Sequence, residues 1–325
     1  MFTLFTYSSS ILVILLVVIN SIESFPIESL AYSHLHSPRI VGGVPVPIDV
    51  VPWQAVIKQR VDLSGTLVIC GGVLISSRWL LTAGHCVYDQ VGLYPIVVEL
   101  GVDHLSISHS TADIVCDVVR VIKPDRDDFN TLLVDIEQGR SPADLALLYL
   151  NKSVEFSDRI RPIALPNEDD NFNDLIGRIS GFGSTLFYST GPLRMSSLLH
   201  ATDVSIINKN KCLKLFYKTF ENSTKVIDHV QPKNVLCAGI MPEGGRDACI
   251  GDSGGPLAVC EDWTTVNITS LECSRWTLAG IVSFGFQCAQ PNIPGLYTNV
   301  AAYVDWIRHE IAIAVSFGNY SFQSL

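Results

Sequence analysis

From Val41 onward the chain alternates short apolar runs with breaks rich in Gly, Pro, Asn and Asp. The runs "LVICGGVLIS" (67–76), "WLLTAG" (79–84), "PIVVEL" (95–100), "IVCDVVRVI" (114–122), "LALLYL" (145–150) and "LAGIVSF" (278–284) read as buried strands. Strands this short and this frequent suggest a β-sandwich or β-barrel architecture. One segment has a different period. In "VAAYVDWIRHEIAIA", Val300, Tyr303, Val304, Ile307 and Ile311 recur at helical spacing. A terminal helix covering a barrel is therefore expected over 300–314, with His309 on its polar side.

The N-terminus follows neither pattern. No charged residue precedes Glu23, and residues 11–19, "ILVILLVVI", form an apolar core followed by Asn20, Ser21 and Ser24. This reads as a secretory signal peptide over 1–24. The competing reading is an uncleaved anchor, because residues 2–19 carry no charge. Thr3, Thr6, Tyr7 and Ser8 dilute that span.

Composition narrows the class. The 325 residues are 48% hydrophobic and 17% charged, as in a well-packed globular protein, and the formal charge of −10 argues against general nucleic-acid binding. Nine cysteines, all beyond residue 24, suggest disulfides formed in an oxidising compartment. The odd number leaves at least one free or paired with another chain. No CxxC pair occurs, so no zinc site is expected. Sequons at Asn151, Asn222, Asn267 and Asn319 fit a secreted glycoprotein. Three polar stretches, 123–143, 167–174 and 261–274, read as insertions or solvated loops.

Chemistry concentrates in "DACIGDSGGPL" (247–257). Gly251-Asp252-Ser253-Gly254-Gly255 satisfies the G-x-S-x-G pattern of an α/β-hydrolase elbow, and Asp305 and His309 would follow it in that order. However, Gly254-Gly255-Pro256 does not open a helix, and no alternating βα pattern precedes the serine. The order His, Asp, Ser is also present. His85 lies in "LLTAGHC" and Asp144 in "ADLALLYL". A serine hydroxyl needs a base within hydrogen-bond reach and an orienting group behind that base.

With "RIVGG" (39–43), "LTAGHC" (81–86), "DLALL" (144–148), "DACIGDSGGPL" and "GIVSFGFQCAQPNIPGLYTNV" (280–300) in this order, the chain resembles the chymotrypsin-like serine proteases from Ile40 to about Ile313. The resemblance implies an all-β fold of two antiparallel Greek-key β-barrels with a C-terminal α-helix. It implies a catalytic set of His85, Asp144 and Ser253, with the backbone N–H groups of Gly251 and Ser253 as oxyanion hole. It places Asp247 at the bottom of a specificity pocket walled by Ser283, Gly285 and Gly295, where an anion would pair with substrate Arg or Lys. It implies activation by cleavage after Arg39, freeing the Ile40 amine to pair with Asp252, so that 25–39 is an activation peptide and 40–325 the protease.

The same resemblance pairs Cys70 with Cys86, Cys212 with Cys237 and Cys249 with Cys288. Cys260 and Cys273, without a family counterpart, are expected to clip the 261–274 insertion, leaving Cys116 over. Expected partners are protein or peptide substrates, an activating trypsin-like protease and protein inhibitors, with no nucleic acid, and no membrane once the signal is removed. The enzyme is expected to be extracellular, monomeric and free of cofactor and metal.

The sequence departs from the family at several places. Phe284 and Phe182 stand where Trp is usual, Gln287 at a usual glycine, and Ile250 at a usual polar position. The acidic stretch around 125–140, just before Asp144, is expected to restrict access or favour basic or extended substrates. Pro294 stands where sodium-activated relatives have Tyr, so no sodium dependence is expected.

Overall fold

The computed structural model describes residues 40–60, 67–87, 95–106, 108–124, 143–184, 195–219, 234–262, 273, 275–285 and 288–318. The chain segments 1–24 and 25–39, Arg39, Gln287, the 125–140 stretch and the sequons at Asn222, Asn267 and Asn319 lie outside them.

Strands β1 (Val44–Pro45), β2 (Gln54–Arg60), β3 (Leu67–Leu74), β4 (Trp79–Thr82), β5 (Ile96–Leu100), β6 (Ile114–Ile122) and β7 (Ala146–Leu150) occupy the N-terminal half. Of these, β2 to β7 close an antiparallel barrel in the order β2-β3-β4-β7-β6-β5. Then come β8 (Ile176–Gly181), β9 (His200–Ile207), helix α1 (Lys209–Thr219), β10 (Val235–Gly239), β11 (Pro256–Cys260), β12 (Trp276–Phe284), β13 (Gly295–Asn299) and helix α2 (Val304–Gly318). Strands β9-β10-β13-β12-β11-β8 follow one another, and β8 pairs back onto β9 to close a second ring. Strand β1 adds to β9 through Val44 opposite Ala201. The all-β, two-barrel expectation therefore holds, and so does the C-terminal helix, which follows a short 3-10 turn at Val300–Tyr303 and runs to Gly318. His309 is exposed on it. Among the described residues no helix is long and apolar enough to cross a membrane.

All six apolar runs form strands, because each lays buried residues on a barrel interior. Val73, Leu81, Val98 and Leu148 fill the first barrel, and Ile179, Val204, Leu257 and Tyr297 the second. Strands β2, β8 and β9 escape the apolar pattern because they bury polar groups. Arg178 on β8 and Asp203 on β9 stand opposite each other in register, fully buried, with Nε to Oδ1 at 3.0 Å. A buried charge is costly unless paired, and the partner here lies 25 residues away. Lys58 on β2 similarly reaches Glu99 on β5 at 2.8 Å. Helix α1 has a local start signal. The Asn208 side chain accepts the Lys211 N–H at 3.0 Å, capping the first turn.

Four disulfides form, Cys70–Cys86, Cys212–Cys237, Cys249–Cys288 and Cys260–Cys273, with Cα separations of 6.1, 6.2, 5.4 and 6.0 Å. All fall inside the roughly 7 Å reach of a disulfide. Cys116 is a free, buried thiol on β6.

Candidate active site

Strand pairing brings His85 and Asp144 together. Strands β4 and β7 are antiparallel, with Thr82 opposite Ala146. The end of β4 therefore lies beside the start of β7. His85 sits in the single turn Gly84–Cys86 just beyond β4, and Asp144 two residues before β7. His85 Nδ1 lies 2.9 Å from Asp144 Oδ2 and 3.2 Å from Oδ1, and the His85 backbone N–H donates to Oδ1 at 3.0 Å. A carboxylate at Nδ1 selects the tautomer protonated there and leaves Nε2 as an acceptor. Two further donors hold Asp144. Ser283 Oγ donates to Oδ2 at 2.5 Å, and Thr298 Oγ1 donates to the backbone carbonyl at 2.8 Å. Both come from the second barrel. The family resemblance places Ser283 only at the substrate pocket, and nothing in the sequence marks Thr298.

Ser253 enters from the second barrel, in the turn before β11. Its carbonyl accepts the N–H of Gly71 on β3 at 2.8 Å, which ties that turn to the first barrel. The Cys86 sulfur lies 3.5 Å from the same carbonyl and 3.8 Å from His85 Nε2. The Cys86 sulfur thus lies near both His85 Nε2 and the Ser253 carbonyl. Burial disfavours the His85 cation, but the charge and hydrogen bond of Asp144 outweigh it and hold the imidazole above its ordinary value. Burial also opposes the Asp144 anion. The charge of His85 and the donors on its oxygens reverse that, and the carboxyl is held below its ordinary value.

The turn itself is tight. Asp252 N–H donates to Cys249 O, Gly255 N–H to Asp252 O, and Gly254 N–H to Val282 O, all within 2.9 Å. Gly251 has φ of +97°, where a side chain is strained, and a Cβ there would lie 2.9 Å from Met195 Cε. Among the described residues no backbone carbonyl accepts the N–H of Gly251 or of Ser253. The buried Asp252 carboxylate accepts from Gly183 N–H at 2.8 Å and Cys249 N–H at 2.9 Å. No described cation pairs with it, and burial pushes it up to about 7. Ile40 is buried too, with φ of +50°, an unusual conformation for a β-branched residue.

Asp247 is 2% exposed. Its Oδ2 accepts from Ala289 N–H at 3.0 Å, while Oδ1 has no hydrogen-bond partner among the described residues. Burial, with the charge of Asp252 adding to it, pushes this carboxyl up to about 7 against the opposing N–H groups of Ala289 and Ala248 and the Tyr297 hydroxyl. Gly295 borders Oδ1: a Cβ there would lie 2.5 Å from that oxygen, whereas a Cβ on Gly285 would meet open space. The Cys249–Cys288 disulfide ties the two flanking segments together. At the rim, Ile250 is 59% and Phe284 51% exposed.

Comparison with known proteins agrees with this fold. The family model described as Trypsin matches residues 40–307. The chain is 35% identical over 276 residues to trypsin 5G1 of Aedes aegypti, covering 84% of this chain and 85% of that protein. It is 34% identical over 283 residues to the proclotting enzyme of Tachypleus tridentatus, covering 84% of this chain and 66% of that protein. A match across both barrels at this identity establishes common descent, and the chain belongs to the trypsin family of serine endopeptidases.

Proposed function

We propose that the protein is a secreted endopeptidase, made as a zymogen, that cleaves its protein substrates after Arg or Lys. Ser253 Oγ attacks the scissile carbonyl carbon while His85 Nε2 takes the hydroxyl proton. Asp144 holds the Nδ1 tautomer and stabilises the imidazolium. The N–H groups of Gly251 and Ser253 receive the developing oxyanion, a contribution worth about 10²–10³ in rate for one donor. His85 then gives the proton to the leaving amine, leaving an acyl-Ser253. Water, deprotonated by the same nitrogen, releases the acid and restores the enzyme.

One observation carries the specificity: a buried carboxylate at Asp247, beside a glycine wall, with no cation paired to it among the described residues. Burying an unpaired anion is costly, and a guanidinium or ammonium from substrate offsets that cost. The same physics supports activation. Asp252 is buried without a described cation, and cleavage after Arg39 frees an ammonium on the already buried Ile40. The expected secretory signal, over 1–24, and sequon glycosylation agree with an extracellular enzyme bearing disulfides.

The test uses the full chain from a secretory host, before and after cleavage at Arg39 by a basic-specific protease. A fluorophosphonate probe should label Ser253 only in the cleaved form, and a peptide library should show cuts after Arg or Lys. Labelling of uncut chain at the same rate would sink the zymogen reading. Cuts after apolar residues would sink the specificity.

A further inference from the structure

The outer face of β6 joins two features that the protease chemistry leaves unused. Val115, Asp117 and Val119 alternate with buried Cys116 and Val118, so all three face solvent. Val115 is 39% and Val119 53% exposed. A register shift between Val118 and Arg120 leaves Val119 without a partner on β7. Asn151, exposed directly after β7, is pinned against the middle of this stripe. Its Nδ2 donates to Asp117 Oδ2 at 3.0 Å, and its Oδ1 accepts from the Asp117 N–H at 3.2 Å. Its backbone N–H donates to Asp117 O at 2.9 Å, and Arg78 donates to its carbonyl at 2.9 Å. Asn151 opens the sequon Asn151-Lys152-Ser153, whose other two residues are also exposed.

We infer that Asn151 carries an N-linked glycan that lies along β6 and covers Val115 and Val119. This rests on the export reading, because the donor is a lipid-pyrophosphate-linked oligosaccharide of the secretory compartment. The amide nitrogen bonds to the terminal sugar carbon, the carbon–oxygen bond to pyrophosphate breaks, and the amide loses one proton. The glycosylated amide keeps its Oδ1, which still accepts from the Asp117 N–H and holds the sugar beside the strand. Val115 and Val119 are large exposed hydrophobics, and contact between copies through them favours self-association. A bulky, hydrated glycan over them opposes that.

The decisive variant is Ser153→Ala, which abolishes the sequon but keeps Asn151 and its four hydrogen bonds. Wild type and variant are made as full chains in a eukaryotic secretory host. Enzymatic deglycosylation in heavy-oxygen water then tags each occupied asparagine for mass spectrometry. A tag at Asn151 in wild type and none in Ser153→Ala is expected. The unglycosylated variant should have unchanged activity after activation but should self-associate at several-fold lower concentration. Adding Val119→Lys should reverse that. Tags at Asn222 or Asn267 without one at Asn151 would overturn the inference and leave export standing. No tag anywhere, with no secreted protein, would remove the export reading itself. An occupied Asn151 whose loss leaves self-association unchanged would overturn the covering role.

Discussion

Ser283 Oγ donates to Asp144 Oδ2 at 2.5 Å, across the junction of the two barrels. The same oxygen lies 2.9 Å from His85 Nδ1, so one carboxylate oxygen ties a second-barrel strand to a first-barrel turn. Replacing Ser283 by Ala removes a hydrogen bond to a charged group, worth about 1.5–3 kcal/mol in full. Some of that reaches the transition state through Asp144, so kcat should fall on the order of 10-fold. Steady-state kinetics on an Arg peptide amide reads this directly. A rise in KM with constant kcat would assign Ser283 to substrate binding alone.

Activity should fall as pH drops through a midpoint above 6.5, because His85 must be neutral to accept the Ser253 proton and its pKa is raised. In Asp144→Asn the charge that raises it is gone while burial remains. The midpoint of the residual activity should then move below the ordinary value, and kcat should drop about 10⁴-fold. The pH profile of kcat/KM for both proteins measures this, and an unshifted midpoint would contradict the electrostatic role given to Asp144.

Asp247→Ala should cost about 10²–10⁴ in kcat/KM on Arg substrates, the equivalent of the roughly 3–5 kcal/mol lost when one partner of a buried charge pair is removed. Gly295→Ala should act in the same direction, because the added methyl would press on Oδ1 at 2.5 Å. Gly285→Ala, facing open space, should be milder. Parallel assays on Arg, Lys and Phe substrates separate a lost anion from a blocked pocket.

Asp252 should link stability to pH in a way that cleavage at Arg39 abolishes. Its folded value of about 7 lies above the unfolded 3.8, so the folded chain binds the extra proton between them. Its contribution is therefore neutral below that window, and destabilising once pH rises through it. An Ile40 ammonium paired with Asp252 removes the penalty. Melting Ser253→Ala protein, cut and uncut, from pH 5 to 8 should show the cut form's advantage growing with pH. A constant Tm difference would speak against the pairing.

Arg178→Met should destabilise the second barrel by about 3–5 kcal/mol, because it strands the Asp203 carboxylate in the core. Adding Asp203→Leu should restore much of that loss. Urea unfolding of the three proteins is the measurement, and equal loss in single and double variants would show that the pair itself is not the source.

Much of the architecture was legible along the chain. The six apolar runs became strands because an alternating or continuous apolar segment has few ways to bury itself. Helix α2 was legible because its apolar residues keep one face. Strands β8 and β9 were not, because Arg178 and Asp203 look like surface residues until each finds the other. Helix α1 carries one local mark, the cap at Asn208, and no apolar period strong enough to set it apart.

The site divides the same way. The resemblance carried by short motifs singled out His85, Asp144, Ser253, Asp247 and Asp252, because each stands beside the glycine or cysteine neighbours of such a motif. No motif marks the bond from Thr298 Oγ1 to the Asp144 carbonyl, or the N–H that Gly183 offers to Asp252. Those contacts join residues 154 and 69 positions apart. Local pattern reports on neighbours within a turn or along a strand. Which distant strands close a ring, and which donors then face a buried carboxylate, follows only from how the two barrels pack.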